Sequence, residues 1–285
     1  MAIILRPFTP EDVPVAGRIL HQAFTAIAAQ HNFPSDFPDP DFATSRMSRL
    51  CTAAASYGVA AELDGVLAGS NFVHEQSPIV GIGPISVDPA VQNRGVGAAL
   101  MHNLIDRSLA RSVAGIRLLQ AGYHTRSLCL YSKLGFVVRE PIANMQGPPL
   151  RREIAGYPIR AATSGDFDAC NRLCRDVHGH DRAGELRDAI AAGTAQVVER
   201  GGAITAYTTQ IAFYAHAVAR SNDDLKALIA AAPVFAGPGF MLPSRNTELF
   251  QWCLAQGLRM VQPMTLMTIG LYNEPQGAYL PSILF

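Results

Sequence analysis

The 285-residue chain is poor in several features that mark large protein classes. It has no excess of charge: 23 Lys and Arg balance 23 Asp and Glu, so neither a nucleic-acid nor a polybasic membrane-surface partner is expected. It has no apolar run of about eighteen residues, the length a membrane-spanning helix needs. The opening Met1-Ala2-Ile3-Ile4-Leu5-Arg6 lacks the cationic segment and cleavage site of a secretory leader. Cysteine is scarce and odd in number, five in all, and Cys170 and Cys174 read as buried thiols on one helix rather than a disulfide framework. No His/Cys grouping has zinc-site spacing, so no metal is expected. These absences point to a cytoplasmic, reduced, globular protein. Its length suits two domains, each able to bury a core.

What is present is concentrated in Ile85-Ser86-Val87-Asp88-Pro89-Ala90-Val91-Gln92-Asn93-Arg94-Gly95-Val96-Gly97-Ala98-Ala99-Leu100. A β-branched run ends in Asp-Pro, a polar loop with two glycines follows, and an Ala/Leu-rich helix begins. Strand, glycine loop and helix N-terminus form an anion cradle, because unobstructed amides and the helix dipole point at one spot. Arg94 adds a forked cation suited to phosphate. The Gly-Lys-Ser/Thr ending of a nucleoside-triphosphate loop is missing, and Leu100 stands where a dinucleotide fingerprint needs its third glycine. A tight strand-helix turn without a ligand is the structural alternative.

Gln92-x-x-Gly95-x-Gly97 resembles the phosphate-loop signature of the GNAT superfamily of N-acetyltransferases. A second segment, Leu130-Tyr131-Ser132-Lys133-Leu134-Gly135-Phe136, resembles the family's helix carrying a tyrosine near the acyl-CoA sulfur. Leu128, Tyr131 and Leu134 share a helix face, and Gly135 ends that helix. The resemblance implies acetyl-CoA as co-substrate. The backbone of Ile85, Ser86 and Val87 would hold its pantetheine arm as an added strand is held. The amides of Gln92, Asn93, Arg94, Gly95, Val96, Gly97 and Ala98 would hold its pyrophosphate. Tyr131 would be the general acid toward the leaving thiolate, a core tyrosine being the alternative. One departure is visible: His124 stands where the family often has Asn, which puts a polar contact to the cofactor in doubt.

The general base is less defined. Glu75, ending the third strand, either reaches the cleft or is a solvated loop charge. His74, His21 and His31 are weaker candidates, and the terminal carboxylate of Phe285 is a further one. The apolar tail from Gly270 to Phe285 is expected to pack near the acceptor cleft of the first domain. The loop from Asn32 to Phe42, with three Asp and three Phe, is either an organic-cation cradle or a rigid proline loop with buried anchors. The polar run His178-Gly179-His180-Asp181-Arg182 reads as an interface turn.

The chain also contains itself twice. Leu5-Arg6-x-x-Thr9-x-x-Asp12 recurs as Ile159-Arg160-x-x-Thr163-x-x-Asp166, Glu62-x-x-Gly65 as Glu199-x-x-Gly202, and Gly135-Phe136 as Gly257-Leu258. A repeat of this length is a duplicated domain. In the second copy the loop reads Arg220-Ser221-Asn222-Asp223-Asp224-Leu225-Lys226, without glycines and with carboxylates that repel a pyrophosphate. Cys253 stands where Tyr131 does. The expected fold is therefore α/β (α+β), two GNAT-like domains, each a mixed, mostly antiparallel sheet flanked by helices. Residues 1–148 form the acetyl-CoA-binding catalytic domain and 149–285 a degenerate copy, with a Pro/Gly linker at 146–149. The implied activity is direct acetyl transfer from acetyl-CoA to a primary amine of a small molecule or peptide. A non-catalytic acyl-CoA sensor is the alternative, and homodimerisation is left open.

Overall fold

The computed structural model describes residues 2–284 and contains two compact units that do not divide at one point of the chain. The first comprises the chain to Val138 with Met267–Leu271; the second comprises Arg139–Leu266 and the residues from Tyr272 onward.

In the first unit β1 (Ile3–Pro7) leads through a 3-10 turn into α1 (Val13–Gln30), and α2 (Pro40–Thr52) follows. Arg6 forks onto both Asp12 carboxylate oxygens at 2.7 Å, and the Thr9 amide donates to Asp12 at 2.9 Å. Strand end and helix start are thus one ion-paired knot. The hairpin β2 (Ser56–Leu63) and β3 (Val66–His74) follows, then β4 (Ile79–Ile82) and β5 (Ser86–Val87). The sequence suggests one strand over Ile82–Val87. The structure has two, because Gly83 (φ 141°) and Pro84, which has no amide to donate, interrupt the ladder. Helix α3 (Val96–Ala110), β6 (Gly115–Ala121) and α4 (Thr125–Lys133) complete the run. The sheet order is β1-β2-β3-β4-β6, antiparallel except for β4 beside β6. Met267–Leu271 belongs to this unit as well, with the Leu271 amide on the Ala114 carbonyl at 2.8 Å. Val59, Ala61, Val73, Leu100, Leu104 and Ile116 are buried between the sheet and α3. Leu20, Met47 and Phe72 are buried on the α1–α2 side. Each of the larger side chains among these contributes ~1.5–3 kcal/mol by leaving water.

Strand β7 (Val137–Gln146) runs into the second unit. That unit continues with β8 (Ile159–Ala161), α5 (Phe167–His178), α6 (Ala183–Ala191), β9 (Gln196–Arg200) and β10 (Ala203–Thr208). After these come β11 (Ala217–Ala219), α7 (Asn222–Ala231), β12 (Phe240–Pro243), α8 (Thr247–Ala255), β13 (Arg259–Gly270) and β14 (Ala278–Leu280). A five-stranded sheet runs β14-β11-β10-β9-β8. Strand β7 pairs with β12, from Phe240↔Met145 to Pro243↔Ile142. The compact units part at Val138/Arg139, and each includes the end of a strand that the repeat assigns to the other copy.

The expected place of the tail is corrected. From Tyr272 onward it belongs to the second unit, where β14 pairs antiparallel with β11 from Ala217↔Leu280 to Ala219↔Ala278. The reason is that β11 offers an edge beside a fully buried face, and Tyr279 and Leu280 bury against it. Phe285 lies outside the described residues. The polar run at 178–182 belongs to a buried network: Arg182 donates to Glu185 (2.6 Å) and to Ser282 (2.8 Å), and Glu185 faces His216 Nδ1 at 3.3 Å. Among the described residues no helix is long and apolar enough to cross a membrane, and no cluster of His, Cys, Asp or Glu is suited to a metal.

Candidate functional site

Two features of the first unit make its glycine loop an open cradle. The β4–β6 ladder stops at Gly81↔Arg117, so β5 and the far end of β6 part. Strand β5 pairs with β3 through Gly69↔Val87 and Ser70↔Ser86, and no described strand pairs with its other edge. That edge presents backbone donors and acceptors to whatever enters. The buried hydroxyl of Ser86 has no hydrogen-bond partner among the described residues.

Beyond β5, Asn93 (φ 65°) and Gly95 (φ 87°) both adopt the left-handed conformation, which Asn tolerates and glycine adopts freely. Gly95 is the N-cap of α3, and Ala99 makes the first intrahelical bond, to the Gly95 carbonyl at 3.0 Å. The amides of Val96, Gly97 and Ala98 consequently have no carbonyl one turn back and point out of the helix end. A Cβ on Gly97 would rest in ordinary contact, 3.7 Å from Leu130 and 3.8 Å from Val87. Strand β5, α3 and α4 therefore converge at this residue, which brings the loop beside the tyrosine helix.

On α4 the departure at His124 is accounted for. Its Nδ1 accepts the Ser127 amide at 3.0 Å, so the imidazole is the N-cap of α4. Burial, helped by the Arg126 charge, lowers its pKa to about 4, which keeps it neutral and able to accept. The Ser127 hydroxyl donates to Gln120 Oε1 (3.0 Å), leaving Gln120 Nε2 buried without a partner on the diverging part of β6. Tyr131 is 7% exposed, packs edge-on to Phe136 (centroids 6.1 Å apart), and burial pushes its pKa well up. It is a neutral phenol with a proton to donate.

The structure brings β5 at Val87, the glycine loop at Gln92 and Gly97, and α4 at Leu130 together, with Tyr131 the next residue on the same helix. It does not bring Glu75 there. Both Glu75 oxygens are held by Arg107 (2.9 and 3.1 Å), and Arg111 approaches at 3.4 Å. These arginines lie at the C-terminal end of α3, about 16 Å along the helix from Val96 at 1.5 Å per residue. The two long cations, four residues apart on one helix face, take the carboxylate. The loop at 32–42 is likewise spent on anchoring. Phe33 stacks on Tyr123 (4.4 Å, 8°), Phe37 packs on Phe24 (4.8 Å), and Asp39 caps α2 through the Phe42 amide at 2.7 Å. Sequence reasoning missed Arg126, which donates to Gln92 Oε1 (2.7 Å) and Asn93 Oδ1 (3.3 Å). An arginine at the second residue of a helix carries no sign of where it reaches.

The same positions of the second unit are filled by the chain itself. Asp224, at the third residue of α7, is fully buried. It accepts from Arg200 (2.9 and 3.0 Å), Thr205 (2.6 Å) and Ser221 (2.6 Å). Strand β11, the counterpart of β4 and β5, has β10 on one side and β14 on the other. Asn246 caps α8 through the Leu249 amide at 3.4 Å, as His124 caps α4. Cys253, opposite Tyr131 in the repeat, is fully buried.

Comparison with known proteins agrees with this geometry. Residues 23–136 match the profile of the Acetyltransferase (GNAT) family. No curated protein sequence matches significantly. A solved structure assigned as an acetyltransferase from Pyrococcus horikoshii shares the fold at TM-score 0.73 and 18% identity, over 97% of this chain and 94% of that one. The PaiA N-acetyltransferase of Thermoplasma acidophilum, solved with coenzyme A, is 15% identical over 49% of this chain and 92% of its own (TM-score 0.43). The ribosomal-protein-S18-alanine N-acetyltransferase of Escherichia coli is 23% identical over 52% of this chain and 84% of its own (TM-score 0.42).

Proposed function

We propose, from the match of residues 23–136 to the Acetyltransferase (GNAT) family, that the chain moves an acetyl group from acetyl-CoA to a primary amine of a small molecule or peptide, at one site per chain, in the first unit. The observation that carries the reading is the pairing of a β5 edge that no described strand covers with a glycine-capped helix start lacking any side-chain cap, beside a buried tyrosine. The β5 edge is suited to a pantetheine arm, and the amides of Val96, Gly97 and Ala98 to a pyrophosphate. The acceptor nitrogen attacks the thioester carbonyl directly. As the carbon–nitrogen bond forms and the carbon–sulfur bond breaks, negative charge collects on sulfur, and the amine's proton passes to solvent water. Tyr131 donates to that sulfur. Burial keeps it a neutral phenol, so the proton is in place when thiolate charge develops. A cytoplasmic site of action fits five cysteines that are all free thiols.

The test is thiol release from acetyl-CoA across an amine library spanning arylamines to alkylamines. Tyr131→Phe should lower kcat by roughly 10²–10⁴-fold while leaving CoA affinity nearly unchanged, because the phenolic proton matters only as thiolate charge grows. An unchanged kcat under chemistry-limited conditions would reduce Tyr131 to packing. One observation favours the sensor reading instead: Glu75, the carboxylate expected as base, is committed to Arg107. Tight CoA binding with no thiol release for any amine would select that reading.

A further inference from the structure

We infer that Arg126 is a positioning residue for the phosphate end of acyl-CoA, holding the side-chain carbonyls of Gln92 and Asn93 out of the cradle and placing a positive charge beside it. The inference rests on the acyl-CoA reading above. Gln92 is fixed at both ends of its amide: Nε2 donates to the Val87 carbonyl at 3.3 Å, and Oε1 accepts from Arg126 at 2.7 Å. One side chain therefore ties β5, the loop and α4 together. The second guanidinium nitrogen reaches Asn93 Oδ1 at 3.3 Å, on the residue whose backbone is left-handed (φ 65°). Both oxygens carry partial negative charge and would repel a pyrophosphate if they turned inward. The planar guanidinium holds both oxygens at once, a geometry lysine cannot copy.

The position of Arg126 is not explained by helix stability. It lies in the first turn of α4, where the macrodipole opposes a cation, and that turn has no acidic residue to offset it. The second copy supplies the contrast. The residue 122 positions on, the spacing that relates Tyr131 to Cys253, is Glu248. Glu248 accepts from Asn222 (2.7 Å) and Lys226 (2.5 Å), beside a helix start that already holds Asp224. Where the helix end awaits an anion the position is Arg. Where the chain has supplied its own anion it is Glu.

The test uses the full chain and CoA as the probe. Calorimetric Kd values for wild type, Arg126→Gln and Arg126→Lys are measured at several salt concentrations, with the thermal midpoint of each ligand-free protein. The expected result is about 10-fold weaker CoA binding in Arg126→Gln, with a flatter salt dependence and an unchanged midpoint. Arg126→Lys should keep the salt dependence and lose about 3-fold. A Kd unchanged in Arg126→Gln, or one weakened with an unchanged salt slope and a lowered midpoint, would overturn the inference. A wild-type chain that does not bind CoA fails the acyl-CoA reading itself, which the variants do not decide.

Discussion

Two helix starts built on one plan, those of α3 and α7, hold opposite contents. At α3 a left-handed glycine leaves three amides without an intrahelical carbonyl; at α7 Ser221 and Asp224 close the end, and Arg200 and Thr205 seal it. The neighbouring strands differ in the same sense, with β5 open on one edge and β11 covered by β14. What the copies share is just as telling. Arg6 with Asp12 and Glu62 recurs as Arg160 with Asp166 and Glu199, at matching distances of 2.7 to 3.0 Å. The ion-paired knot that fixes strand to helix is retained in both units, so it belongs to the scaffold. The loop, the tyrosine and the open edge are present in one unit, so they belong to the site. In the second unit a carboxylate stands where a pyrophosphate would sit, and a strand stands where a pantetheine arm would lie.

The sharpest way to break this comparison is to exchange the contents. Ala98 and Asp224 are the third residues of their helices. Ala98→Asp should weaken CoA binding by roughly 100-fold or more, about 2.7 kcal/mol. Its folding stability should stay within ~0.5 kcal/mol, since an acidic residue in a first helical turn is favourable. Asp224→Ala should do the reverse. Removing a buried carboxylate that answers Thr205 and Ser221 as well as part-exposed Arg200 should cost about 1.5–3 kcal/mol of stability and leave CoA affinity untouched. Denaturant titration with calorimetry reads both. If Asp224→Ala were as stable as wild type, the second helix start would not be sealed as described.

A smaller effect separates the two glycines. Gly95→Ala forces a side chain into the left-handed region at ~1–2 kcal/mol and should weaken CoA about 10-fold. Gly97→Ala meets only ordinary contacts and should stay within about 3-fold. Equal effects would mean that the φ of Gly95 is not what shapes the cradle.

The smallest effect concerns the caps, where the first unit has His124 and the second Asn246. A folded-state pKa of about 4, below the ordinary ~6.5 of the unfolded chain, means that the unfolded state binds the extra proton between those values. The stability His124 contributes is thus complete above pH 6.5 and is lost as pH falls toward 4. His124→Asn should keep stability within ~0.5 kcal/mol at pH 7.5 and make that acid decline shallower. Some decline should remain, because burial and Arg182 lower buried His216 to about 4 as well. An unchanged decline, followed by unfolding at stepped pH, would place the acid sensitivity elsewhere.

The parts of this comparison that are legible in the sequence are local ones. Gly95, Gly97 and Tyr131 lie in short contiguous patterns whose backbone demands leave a direct trace, and the Arg-x-x-Thr-x-x-Asp knot is one strand end plus one cap. The parts not legible are pairings across the chain. That β14 covers β11 is decided by which edge is free, and that Glu75 faces Arg107 and Arg111 is decided by where α3 ends. The exchange of strand ends between units is of the same kind: β7 pairs with β12, 94 to 103 residues apart by the Asn144–Pro238 and Pro141–Ser244 contacts. Arg126 was hidden for a simpler reason, since a long flexible side chain on an exposed turn can reach many places.

The central claim is that one half of the duplication binds acyl-CoA and the other is occupied by its own chain. A calorimetric titration of CoA into the full-length protein tests it most directly. The account predicts a stoichiometry near one, falling to no detectable binding in Gly95→Asp with Gly97→Asp. A stoichiometry near two, or binding that survives the double variant, would contradict it.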